Sequence, residues 1–375
     1  MIYLDNCSTT NKKPKSVYKA FNKGIKKFSV NAGRGSYDLA IWAGLKILDF
    51  RNLACDFFNS ESPEKVIITK NCTESLNLIL QGSAKNNGHI IVSCFEHNSV
   101  FRTLSHLKAT KNISFSIIEP KNKDGILEIS EIETEIRPNT YLIFINQTSN
   151  VFGATQKIHE IGKLCKEKNI LFGVDGAQSA GHEKIDMQKN NINFLAIAGH
   201  KGLYASQGIG LTIINKATLS PIIFGGTGTN SESIIQPDDY PEGFESGTLN
   251  IPSILSLEAG IQFVRKKQDK INLKIEKLTQ YLISNLKNNP KIELYYSNYK
   301  SGVVSFKVKN KENSEVCSTL NEKFKICVRC GLHCAPLAHF WLGSSKTGLI
   351  RIGISYFNSL NDIKKMIKAL NVLSS

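Results

Sequence analysis

ILFGVDGAQSAGHEKIDMQKNNINFLAIAGHKG, residues 170–202, decides the fold. It holds two short apolar runs, ILFGVD (170–175) and FLAIAG (194–199), each ending abruptly in polar or titratable residues. Runs this short and this apolar read as strands of a parallel sheet covered on both faces. Outward from them the pattern repeats, with VIIT (66–69), HIIVSC (89–94), FSII (115–118) and YLIFIN (141–146) reading as further strands. TESLNLILQG (73–82) and IHEIGKLCKEKN (158–169) carry helical spacing, with Gly82 and Asn169 as expected C-caps. Strand and helix in alternation predict an α/β layered domain. A long helical pattern then fills 253–289, and strands near 292–296 and 302–308 with helices near 313–323 and 359–373 predict an α+β tail.

Composition narrows the class. With 375 residues and 41% apolar content the chain can bury a large core and a smaller one. No apolar run reaches the ~18 residues a membrane helix needs. MIYLDNCSTT has neither the basic start nor the apolar run of a signal peptide, so a cytoplasmic protein is expected. The net charge of +15 comes from scattered lysines beside Asn and Ile, without interleaved aromatics. That pattern does not suit nucleic acid, though it suits an acidic protein partner. Nine cysteines, an odd number and mostly dispersed, are not a disulfide framework.

Ligands in open α/β sheets bind at the carboxyl ends of the strands. Those ends carry Glu96 and His97, Asn146 to Asn150, Asp175 and Gln178, then His200 and Lys201. A lysine directly after FLAIAGH can be partly desolvated, which frees its amine for a Schiff base. Pyridoxal phosphate needs such a lysine, a carboxylate for its pyridine nitrogen, a flat ring over its face and an anion cradle. Lys201, Asp175 and His97 are candidates for the first three. The start of the helix at Cys72, Thr73 and Glu74, with Thr73 as N-cap, is the candidate for the fourth.

At this density of motifs the chain resembles the cysteine desulfurase and selenocysteine lyase family of class V aminotransferase fold. YLDNCSTT, NAGRGSY, TKNCTESLN, FEHNSV, SNVFG, VDGAQSAG, AGHKG, FGGTGTNSE, FESGTLN, RCGLHCAP and RIGISYFN carry the resemblance across nearly the whole chain. It implies a fold-type I pyridoxal-phosphate enzyme: a large domain at 13–252 with a mainly parallel sheet, and a smaller α+β domain from 1–12 and 253–375. By position, Lys201 would hold the cofactor, Asp175 its pyridine nitrogen and Gln178 its phenolic oxygen, with His97 stacked on the ring and Asn150 near it. Cys72, Thr73 and His200 would approach the phosphate, with Thr248 reaching in from the partner subunit of a homodimer. Arg351 would clamp the carboxylate of L-cysteine, and Cys334 would be the nucleophile. Ala198 departs from the serine common in relatives, NCSTT replaces NAATT, and Tyr37 stands where a histidine is frequent.

The implied reaction converts L-cysteine to L-alanine through a ketimine, with sulfur passing to Cys334 as a persulfide and then to a protein acceptor in iron–sulfur assembly or related sulfur metabolism. The attack needs a thiolate, and Arg329, His333 and His339 are the neighbours that could favour it or take the proton; Arg329 could also help bind substrate. Cys327, Cys330, Cys334 and His339 also have metal-ligand spacing. FKICVRC reads as a strand, however, which sends Cys327 and Cys330 to opposite faces, and no metal is expected. Cys330 is otherwise a bystander or a sulfur relay. A selenocysteine lyase or class V aminotransferase is the alternative, and Cys334 argues against the aminotransferase because amino transfer has no use for it.

Overall fold

The computed structural model describes residues 1–32 and 35–374; Gly33 and Arg34 of the NAGRGSY motif, and Ser375, lie outside the described residues. After β1 (Ile2–Tyr3), α1 (Lys15–Lys27) and α2 (Asp38–Phe58), the chain lays down a seven-stranded sheet. Its strands are β2 (Val66–Thr69), β3 (His89–Ser93), β4 (Ser114–Ile118), β5 (Thr140–Asn146), β6 (Leu171–Asp175), β7 (Phe194–Ala198) and β8 (Gly210–Ile214), in the order β2-β8-β7-β6-β5-β3-β4. Helices α3 (Cys72–Gly82), α4 (Asn98–Lys111), α5 (Ile129–Glu133) and α6 (Ile158–Glu167) connect them.

Alternate residues of each central strand enter different cores, which is why the runs are apolar throughout. Ile91, Ile143, Val174 and Leu195 pack with α2 and α6, while Ile90, Leu142, Phe144 and Phe194 pack with α3 and α4. The sheet is mixed rather than wholly parallel. GLTII at 210–214, not anticipated as a strand, forms β8 and runs antiparallel to both β2 and β7. The link 199–209 is too short for a crossover helix, so the chain turns straight back. The other neighbouring pairs are parallel. The carboxyl ends of β2, β3, β5, β6 and β7 therefore share one edge.

Two helix ends differ from expectation. Asn71, not Thr73, is the N-cap of α3, its Oδ1 accepting the Glu74 N–H at 2.9 Å. Gly82 closes α3 instead of following it, and a Cβ there would meet the Ser220 carbonyl at 2.6 Å.

The remaining elements are α7 (Ile251–Leu286), β9 (Ile292–Tyr295), β10 (Val303–Val308), α8 (Asn313–Phe324), β11 (Ile326–Cys327), β12 (Arg329–Gly331), α9 (Pro336–Trp341), β13 (Leu349–Gly353) and α10 (Leu360–Ser374). Helix α7 is continuous over 36 residues; its first half packs on the large sheet and Leu278, Leu282 and Leu286 enter the C-terminal core. That core lies on an antiparallel sheet ordered β12-β13-β10-β9. FKICVRC is not one strand. It breaks at Val328 into β11, parallel to β1, and β12, antiparallel to β13. The break lets one short segment serve two sheets.

Candidate active site

One cavity at the shared strand edge gathers Lys201, Asp175, Gln178, His97, Asn150, Cys72, Thr73, His200, Arg329 and Arg351. Their convergence follows from topology. β6 ends in Asp175, which pairs with Asn146 of β5 and Ala196 of β7, so the polar residues after these three strands emerge side by side. Burial pushes the Lys201 amine below the ordinary lysine value, opposed by its neighbours Cys72 and Asp175. Burial also raises the Asp175 carboxyl, while the Ala177 N–H, donating to Oδ1 at 2.8 Å, works the other way. The Cys72 thiol lies 3.7 Å from that same Oδ1. Its side chain thus points at the carboxylate rather than toward an anion cradle.

His97 is the N-cap of α4, its ring Nδ1 accepting the Ser99 N–H at 3.1 Å. Burial, then the charges of Lys201 and Arg329, lowers its pKa to about 4, so the ring is neutral at physiological pH. Gln178 donates from Nε2 to the Cys7 carbonyl at 2.9 Å, tying the N-terminal segment to the cavity. Thr248 is exposed and does not line the cavity formed by this chain.

The C-terminal sheet supplies the opposite wall. Arg351 is fully buried and donates to the Asn150 carbonyl at 3.1 Å, Asp5 Oδ1 at 3.0 Å and Ser8 Oγ at 2.8 Å. Arg329 places Nη2 3.5 Å from Cys334 Sγ. Of the three neighbours expected to favour the Cys334 thiolate, Arg329 is the one bonded to the sulfur. His333 holds Leu349 O at 3.0 Å and His339 holds Ser344 Oγ at 2.9 Å. Cys330 packs in the core behind the sheet with its thiol against Cys317, on the face opposite Arg329. That placement does not suit a relay to Cys334.

Cys334 sits in a tight loop, with φ of 49° at His333 and 59° at Cys334. Two successive side-chain-bearing residues in the left-handed region cost roughly 1–3 kcal/mol each, and such strain marks functional loops. Two contacts over-determine it. The Cys334 carbonyl accepts the Asn98 N–H at 2.7 Å, and α9 is anchored by Trp341, whose ring meets Phe95 edge-on at 5.2 Å.

The chain matches the class V aminotransferase model over residues 2–366. It belongs to that family. Two curated relatives named as probable cysteine desulfurases align with all of it: 33% identity to the Pyrococcus abyssi protein and 30% to that of Methanothermobacter thermautotrophicus, each over 94% of the relative. The apo structure of a cysteine desulfurase from Thermococcus onnurineus NA1 superposes with a TM-score of 0.92 at 31% identity, covering 100% of this chain and 94% of that one. Class V membership places the chain among pyridoxal-phosphate-dependent enzymes, and its residues fit the cofactor. Asp175 is buried and half-buried Lys201 lines the same cavity, and Asn150 Oδ1, His200 Nδ1, His333 Nδ1 and Arg351 Nε of residues on its wall have no hydrogen-bond partner within the described protein. Buried polar atoms are rarely left without a partner, and a water, an ion or a ligand in the cavity would supply one.

Sequence reasoning gave no role to three residues that shape this site. Asp5 and Ser8 hold Arg351, and Asp5 could have been noticed as the sole acidic residue before Asp38. Glu96 is fully buried, accepting from Ser93 Oγ at 2.6 Å and the Asn146 N–H at 2.8 Å, so it ties β3 to β5. Burial pushes its pKa up to about 8.

Proposed function

We propose that this protein is a cysteine desulfurase that converts L-cysteine to L-alanine and receives the sulfur on Cys334. The carrying observation is that Cys334, held in a strained loop, has its sulfur 3.5 Å from Arg329, which with His333 lines the cavity that contains Lys201 and Asp175. An aminotransferase has no need of a thiol held there. Bound pyridoxal phosphate would supply an electron sink for bond breaking next to the substrate amine. Lys201 would hold it, Asp175 would pair with its pyridine nitrogen, Gln178 would reach its phenolic oxygen, His97 would lie over its ring, and Thr73 with His200 would meet its phosphate.

The chain's own residues account for the rest. Arg351 offers a buried guanidinium to the substrate carboxylate, a bidentate task for which lysine is poorly shaped. Lys201, with its lowered pKa, can move the substrate α-proton as a neutral amine. Cys334, paired with Arg329, attacks the substrate sulfur. The new S–S bond forms as the C–S bond breaks, and the carbon fragment gains a proton to end as alanine. A thiol acceptor then takes the persulfide sulfur.

A homodimer completes the site in this reading. Helix α2 exposes Ile41, Trp42, Leu45 and Leu48, and the groove beside Leu48 is lined by Gly247 and Leu249, which flank Thr248. One surface thus carries both an uncovered apolar stripe and the residue expected to reach a second copy. Nine free thiols suit a reducing compartment such as the cytosol. The C-terminal sheet with the N-terminal segment would form the smaller domain, and the +15 charge favours an acidic sulfur acceptor.

The test is incubation of purified protein and pyridoxal phosphate with L-cysteine and a reductant, following alanine and sulfide. Wild type should form both, while Lys201→Ala and Cys334→Ala should form neither. Sulfide release undiminished in Cys334→Ala would sink the persulfide route. Brisk amino transfer without sulfide would point to the aminotransferase, and a strong preference for selenocysteine to the lyase.

A further inference from the structure

Lys201 lies in the link between β7 and β8, outside any strand or helix, so its flanking carbonyls need partners from elsewhere. The N-terminal segment supplies them. His200 O accepts the Thr10 N–H at 3.1 Å and Thr10 Oγ1 at 3.0 Å, with Thr9 Oγ1 at 3.4 Å. Lys201 O accepts the Tyr204 N–H at 2.9 Å and lies 3.3 Å from Thr10 Oγ1. A carbonyl oxygen only accepts, so the one hydroxyl hydrogen of Thr10 is directed at these two oxygens. Lys13 Nζ, 3.3 Å from Thr10 Oγ1 and 3.0 Å from Thr10 O, donates to the same residue from the other side. Thr10 is buried, and its segment is anchored again where Gln178 donates to Cys7 O and Arg351 to Ser8 Oγ. Among the described residues, no side chains but those of Thr9 and Thr10 bond to the His200 and Lys201 carbonyls.

We propose that Thr10 is a positioning residue for Lys201, an inference that rests on the cofactor reading above. One buried hydroxyl reaches the carbonyls of both peptide planes that meet at the Lys201 α-carbon. Holding both planes holds the two backbone dihedrals of Lys201, and with them the direction in which its side chain leaves the chain. A bond from Nζ to a ring seated elsewhere in the cavity depends on that direction. Thr10 sets it before the ligand arrives, so less ordering is left to the bond-forming step. Two residues back, Ser8 receives Arg351, so the lysine and the guanidinium of the opposite wall are registered on one short segment.

The experiment titrates apoprotein with pyridoxal phosphate and, separately, with pyridoxamine phosphate, which has the same ring and phosphate but no aldehyde to link to a lysine. Visible absorbance of the lysine-bound ligand reads the first, and equilibrium dialysis the second. Thr10→Val keeps the side-chain shape and the backbone N–H but loses the hydroxyl. It should bind pyridoxal phosphate about 5-fold more weakly, the loss of roughly one neutral hydrogen bond. Its affinity for pyridoxamine phosphate should equal that of wild type, which also shows that the variant is folded. Thr10→Ala should match Thr10→Val, while Thr10→Ser restores the hydroxyl and should recover most of the affinity for pyridoxal phosphate. Equal affinity of wild type, Thr10→Val and Thr10→Ala for pyridoxal phosphate would overturn the proposal, as would equal weakening for both ligands or no recovery in Thr10→Ser. Failure of the cofactor reading looks different: wild type itself would give no lysine-dependent absorbance, matching Lys201→Ala.

Discussion

Arg329 and Arg351 stand directly opposite each other on antiparallel β12 and β13, so two guanidinium groups share one face. Like charges facing across a sheet are destabilising, and a chain that keeps them does so for an anion both can meet. Ser8 Oγ lies between them, 2.8 Å from Arg351 Nη2 and 3.4 Å from Arg329 Nη1. Replacing Arg329 by Gln removes one of the facing charges and the partner of Cys334 Sγ. Thermal stability should hold or rise slightly, while sulfide formation should fall about 10- to 100-fold, as for the loss of a hydrogen bond to a charged group. Alkylation of Cys334 by iodoacetamide at fixed neutral pH should slow in parallel. A variant that loses activity with unchanged alkylation would show that Arg329 acts on substrate alone.

Asp5 makes the opposite prediction for stability. It is the acidic partner of a guanidinium that is 1% exposed, while its own side chain is 20% exposed. Breaking such a pair leaves a buried charge uncompensated, at about 3–5 kcal/mol. Asp5→Asn should therefore lower the denaturation midpoint in urea far more than Arg329→Gln does. Ser8→Ala, which leaves the ion pair, should cost about 1 kcal/mol and raise KM for cysteine more than it lowers kcat. A midpoint for Asp5→Asn within error of wild type would show that solvent screens the pair.

How much of this was legible in sequence depends on range. Strand ends such as Asp175 and Lys201 were readable because an unbroken apolar run stops at a titratable residue, a purely local signal. β8 was missed because GLTII follows a short glycine-bearing link and lacks a helix before it, so nothing local marks its reversed direction. The splitting of FKICVRC between two sheets follows from β1, more than three hundred residues away in sequence, claiming Ile326 and Cys327 as partners. Asp5 and Ser8 escaped for the same reason: their partners Arg329 and Arg351 are reached only once that long-range pairing exists.

Cys72 offers a test of the floor of the cavity. Its thiol and the Ala177 N–H both donate to Asp175 Oδ1, favouring the ionised carboxylate against burial. Cys72→Ala should make Asp175 easier to protonate. With pyridoxal phosphate bound, the pH at which the visible absorbance changes should move, while the affinity for the cofactor changes by less than that of Asp175→Asn. An absorbance titration superimposable on wild type would show that the Ala177 N–H suffices.

Acid should unfold the apoprotein more readily than the overall positive charge alone implies, because many histidines are buried neutral. Burial lowers His89, His97, His182, His200 and His339 to about 4, and His333 to about 2. Unfolded, each titrates near 6.5. Between pH 6.5 and 4 the unfolded chain thus binds protons that the native one does not. Each such proton lowers stability by about 1.4 kcal/mol per pH unit of acidification. Glu96 acts in the other direction, since its pKa is raised to about 8 and the native state holds a proton that the unfolded state releases above about 4.5. Asp175, also raised by burial, joins it. Burial raises Glu183 and Glu258 as well, and six histidines still outweigh four carboxyls, so the urea midpoint should fall between pH 7 and pH 5. Glu96→Gln should steepen that fall by removing one opposing group. A midpoint that rises on acidification would mean that the buried carboxyls, not the histidines, govern the pH response.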